Sequence, residues 1–263
     1  MGAVLVRRRD IESDSPPAGE FRTADVGRGL IPASVLAPLG LYCVDTTDRV
    51  FSLTYDDGPD PESTPAILDM LAHHGARATF FVLARPAKRH PEIVRRIVDE
   101  GHELALHGLD HRSLLTIPVR DGLANIRESR RIVEDIAQRR VALFRPPYGS
   151  HTMRQSLAIH RLGLDIVIWS GYASDWVDDD EHAVVERAVA GVFPGGILLM
   201  HDTRADPETL LPGERLPAFD RAAVLDKLLR TTRSDGYTEL PVGELVERYP
   251  AVKSLSRERM AIP

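Results

Sequence analysis

Apolar residues occur along the chain in two patterns that alternate with each other. Short continuous runs at 50–55 and 78–83 are rich in β-branched and aromatic residues, which is typical of buried strands. Other segments repeat apolar residues every three or four positions, as at 91–100, where Ile93 and Ile97 fall on one helical face. The alternation therefore predicts a series of strand–helix units.

Seven such units follow one another between residues 50 and 248. Because each helix connects two strands that run in the same direction, the alternation predicts a parallel α/β fold. Our first choice is a barrel related to the TIM barrel, and an open doubly wound sheet is the alternative. The predicted strands are 50–55, 78–83, 103–106, 141–144, 164–169, 197–200 and 237–240, and the predicted helices are 65–74, 91–100, 120–138, 153–162, 180–192, 218–231 and 242–248.

The first 44 residues differ from the rest, because they are polar, contain several Pro and Gly residues and lack a clear periodicity. We therefore interpret 1–44 as an N-terminal arm or lead-in segment, and 45–263 as the main domain. A chain of 263 residues, of which 43% are hydrophobic, has ample material for the core of a large domain.

Charge and cysteine content exclude several kinds of partner and site. The formal net charge of −6 argues against a nucleic acid or an anionic membrane surface as partner. Cys43 is the only cysteine, which excludes an intrachain disulfide and a cysteine-based metal site. No apolar run approaches the roughly 20 residues of a membrane span. The opening MGAVLVRRRD has too short an apolar stretch for a signal peptide, so we expect a cytoplasmic protein.

Two adjacent aspartates, Asp56 and Asp57, follow the first predicted strand and precede Gly58. An Asp-Gly-Pro sequence is common in surface turns, which is the simplest interpretation. However, neighbouring carboxylates at the end of a buried strand repel each other, and burial is costly unless a cation or proton offsets the charge. A bound metal ion would neutralise one carboxylate and leave the other free to accept a proton.

Polar side chains also follow the other predicted strands. In parallel α/β folds the carboxyl ends of the strands meet at one rim, where functional residues collect. Two neutral imidazoles and one carboxylate would hold a metal ion and leave one position for water, which is typical of catalytic zinc. Bound zinc lowers the pKa of its water to about 7. The residues at this rim are Asp56, Asp57, His107, His111, Arg145, Tyr148, Asp175, Trp176, His201 and Asp202.

Five short motifs occur in the order of those in one known family: TYDDGP (54–59), GHELALHGLDH (101–111), RPPYG (145–149), SDW (174–176) and LMH (199–201). On these motifs the chain resembles the polysaccharide deacetylases of carbohydrate esterase family 4, relatives of the rhizobial nodulation deacetylase. The resemblance covers about 45–247. It implies that 45–263 is the catalytic domain and that the fold is a distorted seven-stranded (β/α) barrel.

The resemblance also implies a metal site and a general base. Asp57, His107 and His111 would bind one divalent metal ion, with zinc the first choice and cobalt, manganese or nickel as alternatives. Asp56 would be the general base that activates water, and Arg145 would keep it ionised and oriented.

Five further residues receive roles from the resemblance. The backbone amide of Tyr148 would help to stabilise the oxyanion. His201 would be the general acid that protonates the leaving amine, with Asp175 supporting its protonated form. Trp176 and Leu199 would line the pocket for the acetyl methyl group and the face of the sugar.

Two positions depart from the family pattern. Gly108 stands where the family often has Ser or Thr, and Tyr172 stands where the fourth motif often begins with Asp. Neither residue is a ligand, acid or base, so we expect these departures to affect specificity and not activity. The Pro-rich stretch 205–216, which follows His201, is expected to shape substrate access, because loops at this rim usually do.

The predicted function is metal-dependent hydrolysis that removes an N-acetyl group from an N-acetylated sugar. We expect an oligosaccharide, glycolipid or biosynthetic intermediate as substrate, and secreted-type deacetylation of chitin or peptidoglycan is the alternative. Hydrolysis of a C–N bond in a non-sugar amide or imide, and a metal-dependent glycan-binding module without turnover, are further alternatives. Intact Asp56, Arg145 and His201 favour the sugar hydrolase over the non-sugar one, since the resemblance implies that non-sugar branches alter these motifs. The binding module is disfavoured because every acid, base and ligand position is filled.

Overall fold

The computed structural model describes residues 4–5 and 33–254. Within this part of the chain, no helix is both long and apolar enough to cross a bilayer. The strands are β1 (Val4–Leu5), β2 (Gly40–Val44), β3 (Val50–Asp56), β4 (Thr79–Leu83), β5 (Glu103–Gly108), β6 (Leu143–Phe144), β7 (Asp165–Ile166), β8 (Gly171–Tyr172), β9 (Ile197–His201), β10 (Thr238–Glu239) and β11 (Ala251–Ser254). The helices are α1 (Ala33–Leu36), α2 (Ser63–His74), α3 (Ala84–Arg89), α4 (Pro91–Asp99), α5 (Val119–Ala137), α6 (Met153–Arg161), α7 (Glu181–Ala190), α8 (Arg221–Ser234) and α9 (Val242–Arg248).

Seven strands form one curled sheet in the order β7-β6-β5-β4-β3-β9-β8, and every neighbouring pair is parallel. β10 adds a short parallel pairing to the first two residues of β3. Helices connect most successive strands of this sheet, as expected for parallel strands, which require a crossover connection. The sheet forms a half-barrel, which confirms the predicted distorted seven-stranded (β/α) barrel.

The predicted fifth strand at 164–169 is wrong in its extent. Only β7 pairs with β6, and the chain then crosses the open side of the half-barrel to β8, which pairs with β9 at the opposite edge. β2 lies in this opening, since Leu41 bridges to Val167 and Cys43 bridges to Gly196. Pairing to the sheet thus stops at Ile166 and resumes only at Gly171, on the opposite edge, so 164–169 is not one continuous strand of the sheet.

The predicted lead-in segment at 1–44 lies for the most part outside the described residues. Its last part, Gly40–Val44, forms β2 and pairs antiparallel with β11. Tyr42, Cys43 and Val44 are fully buried and belong to the apolar clusters of the main domain. The residues just before the predicted boundary thus pack with the core, and the division of the chain at this point stays a prediction.

Side chains along β3 alternate between two environments, because successive residues of a strand point to opposite faces. Phe51 and Leu53 pack in the larger apolar cluster between the sheet and the helices, whereas Thr54 and Asp56 point into the half-barrel. A second apolar cluster fills the interior and consists of Leu41, Val44, Phe81, Ala105, Leu143, Val167, Ile197, Leu240, Val242 and Leu245.

The parallel register brings the carboxyl ends of the strands to one rim. Asp56 is opposite His201 between β3 and β9, and β5 and β6 pair one residue before His107 and Arg145. Four segments that are distant in sequence therefore meet at this end of the half-barrel.

Candidate active site

Asp57 directly follows β3 and has an uncommon backbone conformation, with φ at 80°. Positive φ is rare in residues other than Gly, and such residues cluster at functional sites. The carboxylate is 3% exposed, and its Oδ2 atom accepts a hydrogen bond from the Ala205 amide at 3.0 Å. Its Oδ1 atom is buried without a hydrogen-bond partner, an arrangement that is costly unless a cation compensates it.

Two histidines face this oxygen. The Nε2 atoms of His107 and His111 each lie 3.4 Å from Asp57 Oδ1. His107 Nδ1 donates to the carbonyl of Arg145 at 2.8 Å, and His111 Nδ1 donates to the carboxylate of Asp206 at 3.1 Å. Because each Nδ1 carries a proton that is bonded elsewhere, each neutral ring keeps a free lone pair on Nε2, toward Asp57.

Asp57, His107 and His111 form a group that can hold a metal ion. One donor atom from each lies within 4.8 Å of the other two. Burial alone would raise the pKa of Asp57, but the three histidines around it, His107, His111 and His201, hold it well below its usual range. The donor set of two imidazoles and one carboxylate matches three-ligand zinc sites. The residues present therefore fit a divalent ion.

The other aspartate of the pair, Asp56, has a different partner. Arg145 is fully buried and donates from Nη1 to Asp56 Oδ1 at 2.6 Å. The rest of its guanidinium donates to the carbonyls of Val167 and Ile168, at 3.4 and 3.0 Å. The second carboxylate oxygen, Oδ2, lies 3.7 Å from His107 Nε2. Arg145 thus holds one oxygen of Asp56 and leaves the other beside the metal-binding group.

His201, at the end of β9, is held by a buried carboxylate. The oxygens of Asp175 accept hydrogen bonds from His201 Nδ1 at 2.8 Å and from the His201 amide at 2.7 Å. Arg221 donates to Asp175 Oδ2 at 3.2 Å and to the His201 carbonyl at 2.7 Å. Burial alone would lower the pKa of His201, but the charge and hydrogen bond of Asp175 raise it to about 9. His201 is therefore protonated at neutral pH and can donate a proton.

Tyr148 lies in a short 3-10 turn (Pro147–Gly149), in a left-handed conformation with φ at 60° and ψ at 12°. Its ring centroid is 4.4 Å from that of His111, and its hydroxyl donates to Asp206. The structure thus places Tyr148 beside the metal-binding group. The oxyanion role of its amide stays a prediction.

Aromatic side chains line another part of the rim. The Trp176 ring lies 5.6 Å from the His201 ring, and the Tyr172 ring lies 5.8 Å from the Trp176 ring, both between centroids. Leu199 is buried two residues before His201, on the same face of β9. The predicted pocket residues therefore lie beside the predicted acid, and half-exposed Tyr172 extends the aromatic row toward solvent.

Two charged residues that the sequence did not single out support this site. Arg221 lies at the start of α8 and bonds Asp175, whereas Asp206 lies in the loop after β9 and bonds His111 and Tyr148. Neither residue belongs to one of the five motifs, and each is distant in sequence from its partner. No local pattern could have identified them.

Gly108 has a backbone conformation that explains its identity. Its φ is 129°, and a Cβ atom at this position would lie 3.2 Å from the carbonyl oxygen of Asp110. Side chains other than that of Gly are strained in this conformation. The backbone conformation of the loop that carries His107 and His111 therefore favours Gly at position 108 over the Ser or Thr expected from the family pattern.

Residues 44–167 match the sequence model of the polysaccharide deacetylase family. The peptidoglycan-N-acetylmuramic acid deacetylase PdaC of Bacillus subtilis (strain 168) is 31% identical over 207 residues, which are 78% of this chain and 40% of that protein. The chitooligosaccharide deacetylase of Sinorhizobium fredii (strain NBRC 101917 / NGR234) is 34% identical over 186 residues, which are 70% of this chain and 86% of that protein.

Among solved structures, the peptidoglycan N-acetylglucosamine deacetylase Bc1960 is similar in fold, with a TM-score of 0.70 and 27% identity. The similarity covers 83% of this chain and 94% of that one. The chain spans only about two fifths of the length of PdaC. Similarity therefore extends over most of this chain and, for the Sinorhizobium fredii enzyme and Bc1960, over most of the relative as well.

Proposed function

The chain belongs to the polysaccharide deacetylase family, and from this premise we propose that it removes the N-acetyl group of an N-acetylated sugar by metal-dependent hydrolysis. The observation that carries the proposal is the orphaned Oδ1 atom of Asp57, which faces the lone pairs of His107 and His111. Asp56 and His201, at the same rim, provide a base and an acid. Hydrolysis of an amide by activated water requires these three components.

Asp57, His107 and His111 are the proposed ligands of one divalent ion, with zinc preferred over cobalt, manganese and nickel. When bound, zinc supplies Lewis acidity and lowers the pKa of bound water to about 7. The donor set supports zinc, and so do the hydrogen-bond acceptors that fix both imidazoles. Reconstituting the chelator-treated protein with each ion tests the preference, and higher affinity and turnover with another ion would replace zinc.

Asp56 is the proposed general base. Its Oδ2 atom accepts a proton from water as the water oxygen bonds to the amide carbon. Arg145 donates to Oδ1, so that Oδ2 is the accepting atom. The amide of Tyr148 donates to the carbonyl oxygen, where negative charge develops.

His201 is the proposed general acid. It transfers a proton to the amide nitrogen as the C–N bond breaks, which releases acetate and leaves a free amine on the sugar. Asp175 stabilises the protonated ring before the transfer, since both of its oxygens bond to His201. Trp176 and Leu199 border the acid and provide apolar surface for the acetyl methyl group and the sugar face.

Acetate release from N-acetylated oligosaccharides tests the proposed activity. We expect turnover by the metal-loaded protein, its loss with a chelator, and its recovery when metal is returned. A panel of non-sugar amides and imides, assayed in parallel, tests the alternative C–N hydrolase. The sugar reaction is refuted if the metal-loaded protein releases acetate from no sugar substrate or prefers the non-sugar panel.

For the substrate we propose a short oligosaccharide, a glycolipid or a biosynthetic intermediate. Support comes from the rim loop (205–216), in which Ala205 and Asp206 contact the metal-binding group, so that the loop lies directly beside the site. The similarity to a chitooligosaccharide deacetylase agrees with a short substrate, whereas the similarity to PdaC favours peptidoglycan. Comparing deacetylation rates on short glycosides, long soluble chitin and peptidoglycan distinguishes a short substrate from a polymeric one. Faster turnover at internal units of a polymer would overturn the short substrate.

The cytoplasmic location expected from the sequence stays a prediction. Fractionation of cells that express the native protein at its normal level, followed by immunodetection, tests it. Detection outside the cytoplasm would favour the secreted-type alternative.

A further inference from the structure

One carboxylate of the rim loop, Asp206, contacts two residues of the site. It is 7% exposed, and its Oδ2 atom accepts hydrogen bonds from His111 Nδ1 at 3.1 Å and from the hydroxyl of Tyr148. Its Oδ1 atom accepts a hydrogen bond from Arg204 Nε at 3.3 Å. Both oxygens of Asp206 are thus held in place while one of them orients His111.

The preceding residue, Ala205, contacts another proposed ligand. Its amide donates to Asp57 Oδ2 at 3.0 Å, so that Oδ1 remains directed toward the histidines. Two consecutive residues of the rim loop therefore hold two of the three proposed ligands, Asp57 and His111, which come from other segments of the chain.

The two histidines differ in what orients them. His107 Nδ1 donates to the backbone carbonyl of Arg145, and any amino acid at position 145 would provide that carbonyl. His111 Nδ1 donates instead to a side-chain carboxylate that is 95 residues away in sequence. A carboxylate acceptor fixes the tautomer and orientation of the ring and strengthens it as a ligand. His111 therefore depends on the rim loop in a way that His107 does not.

We infer that Asp206 is a positioning residue through which the rim loop determines how tightly the site retains its metal ion. The inference rests on the proposed metal-dependent function and gives the rim loop a task beyond substrate access. Since Tyr148 donates to the same oxygen, a change at Asp206 also releases the ring that packs against His111.

Zinc affinity of the full chain tests the inference, measured without substrate by competition with a chromophoric chelator. Loss of such an acceptor typically weakens metal binding about 10- to 100-fold, which we expect for Asp206→Ala. Asp206→Asn should lose less, because its amide oxygen still accepts from His111. Glu208→Gln is the matched control, since it removes one charge from an exposed side chain of the same loop and should leave zinc affinity unchanged.

Cobalt provides a second measurement that a general effect on stability would not change. The visible spectrum of the cobalt-loaded protein depends on ligand orientation, so it should shift in both Asp206 variants and remain unchanged in Glu208→Gln. A wild-type zinc affinity in both Asp206 variants would overturn the inference, as would an equal loss in the control.

Folding of the variants is measured on the metal-free proteins. If Asp206→Ala unfolds, Asp206→Asn decides the question. Unfolding of both variants, at a temperature where the metal-free wild type is folded, would make Asp206 a structural residue and overturn the inference. A wild-type protein that binds zinc but releases no acetate would instead refute the proposed function and leave the role of Asp206 intact.

Discussion

Two groups of residues at the carboxyl ends of the strands are held in different ways. The inner group, which we call the floor, consists of Asp56, Asp57, His107, Arg145, Asp175 and His201, and the outer group, which we call the outer rim, consists of His111, Asp206, Trp176 and Tyr172. On the floor, Arg145 is fully buried and bonds to the carbonyls of two neighbouring residues, and His107 is fixed by the carbonyl of Arg145. On the outer rim, His111 is oriented by the side chain of Asp206, and Tyr172 is 51% exposed. The bonds of Arg145 and His107 to backbone carbonyls do not depend on side chains elsewhere, whereas the bond of His111 is lost when the side chain of Asp206 changes.

This difference separates chemistry from recognition. A substitution on the floor removes a group that takes part in the reaction or leaves a buried charge without its partner. A substitution of an exposed residue of the outer rim, such as Tyr172, leaves Asp56, Arg145 and His107 in place. We therefore expect floor variants to lose turnover or metal, and variants of exposed residues of the outer rim, such as Tyr172, to change affinity for the substrate.

The largest effects should come from the two aspartates of the floor, which we expect to differ in kind. Asp56→Asn should retain the metal but lose about 10²- to 10⁴-fold in turnover, because the general base is removed while the ligands remain. Asp57→Asn should instead lose metal, because a ligand is removed. Metal content and kcat, measured on the same preparations, check both expectations. If the two variants behave alike, the assignment of one base and one ligand is wrong.

The acid side of the floor should show a loss that depends on the leaving group. His201→Ala should lose about 10²- to 10⁴-fold on N-acetyl amides, because the departing amine requires a proton. On an activated acetate ester, whose leaving group is stable without a proton, the loss should be below about 10-fold. The ratio of kcat/KM on the two substrates is the measurement. Equal losses on both would remove His201 from the acid role.

A smaller effect, seen in the pH profile, should come from Asp175. A general acid works while it is protonated, so activity is present below the pKa of His201 and is lost as the pH rises through it. Asp175 raises this pKa to about 9. Asp175→Asn removes the negative charge that raises the pKa of His201. The alkaline limb of the pH profile should therefore shift to lower pH, toward the ordinary histidine pKa of about 6.5. The pH dependence of kcat/KM checks the shift.

Asp179→Asn is the control for this profile, because it removes an exposed carboxylate from the same segment. Its alkaline limb should coincide with that of the wild type. An unchanged limb in Asp175→Asn would show that another group sets it.

The floor could be predicted from the sequence because its signals are local. The apolar run of β3 ends in Asp56 and Asp57. Because parallel strands place their carboxyl ends together, His107 and Arg145, which follow other predicted strands, were expected beside them. The fifth strand at 164–169 was mispredicted for the opposite reason. Its pairing partners belong to β6 and β2, which are distant in sequence, so its apolar run alone did not show where pairing with the sheet stops.

The supports of the site could not be predicted for the same reason. Arg221 lies 46 residues from Asp175, and Asp206 lies 95 residues from His111. The bond of the Ala205 amide to Asp57 carries no side-chain signal at all, because any residue except Pro could donate it. Contacts of this kind become visible only when the fold is known.

The smallest effect should come from the outer end of the aromatic row, at Tyr172. Its ring lies beside Trp176 and is exposed, so we predict that it stacks on a sugar unit next to the one that is deacetylated. Such aromatic contacts contribute about 0.5–1.5 kcal/mol. Tyr172→Ala should therefore raise KM for an oligosaccharide by about 2- to 10-fold, with kcat unchanged.

Two controls make this prediction a test of the difference between floor and outer rim. Tyr172→Phe keeps the ring and should behave like the wild type on every substrate. On a monosaccharide glycoside, which has no neighbouring sugar, Tyr172→Ala should also match the wild type. A fall in kcat, or an equal loss on the monosaccharide, would mean that Tyr172 contacts the sugar unit that is deacetylated. A residue that contacts only the neighbouring sugar cannot change the rate on a substrate that lacks this sugar. Tyr172 would then belong with the floor, and recognition could not be separated from chemistry at this edge of the site.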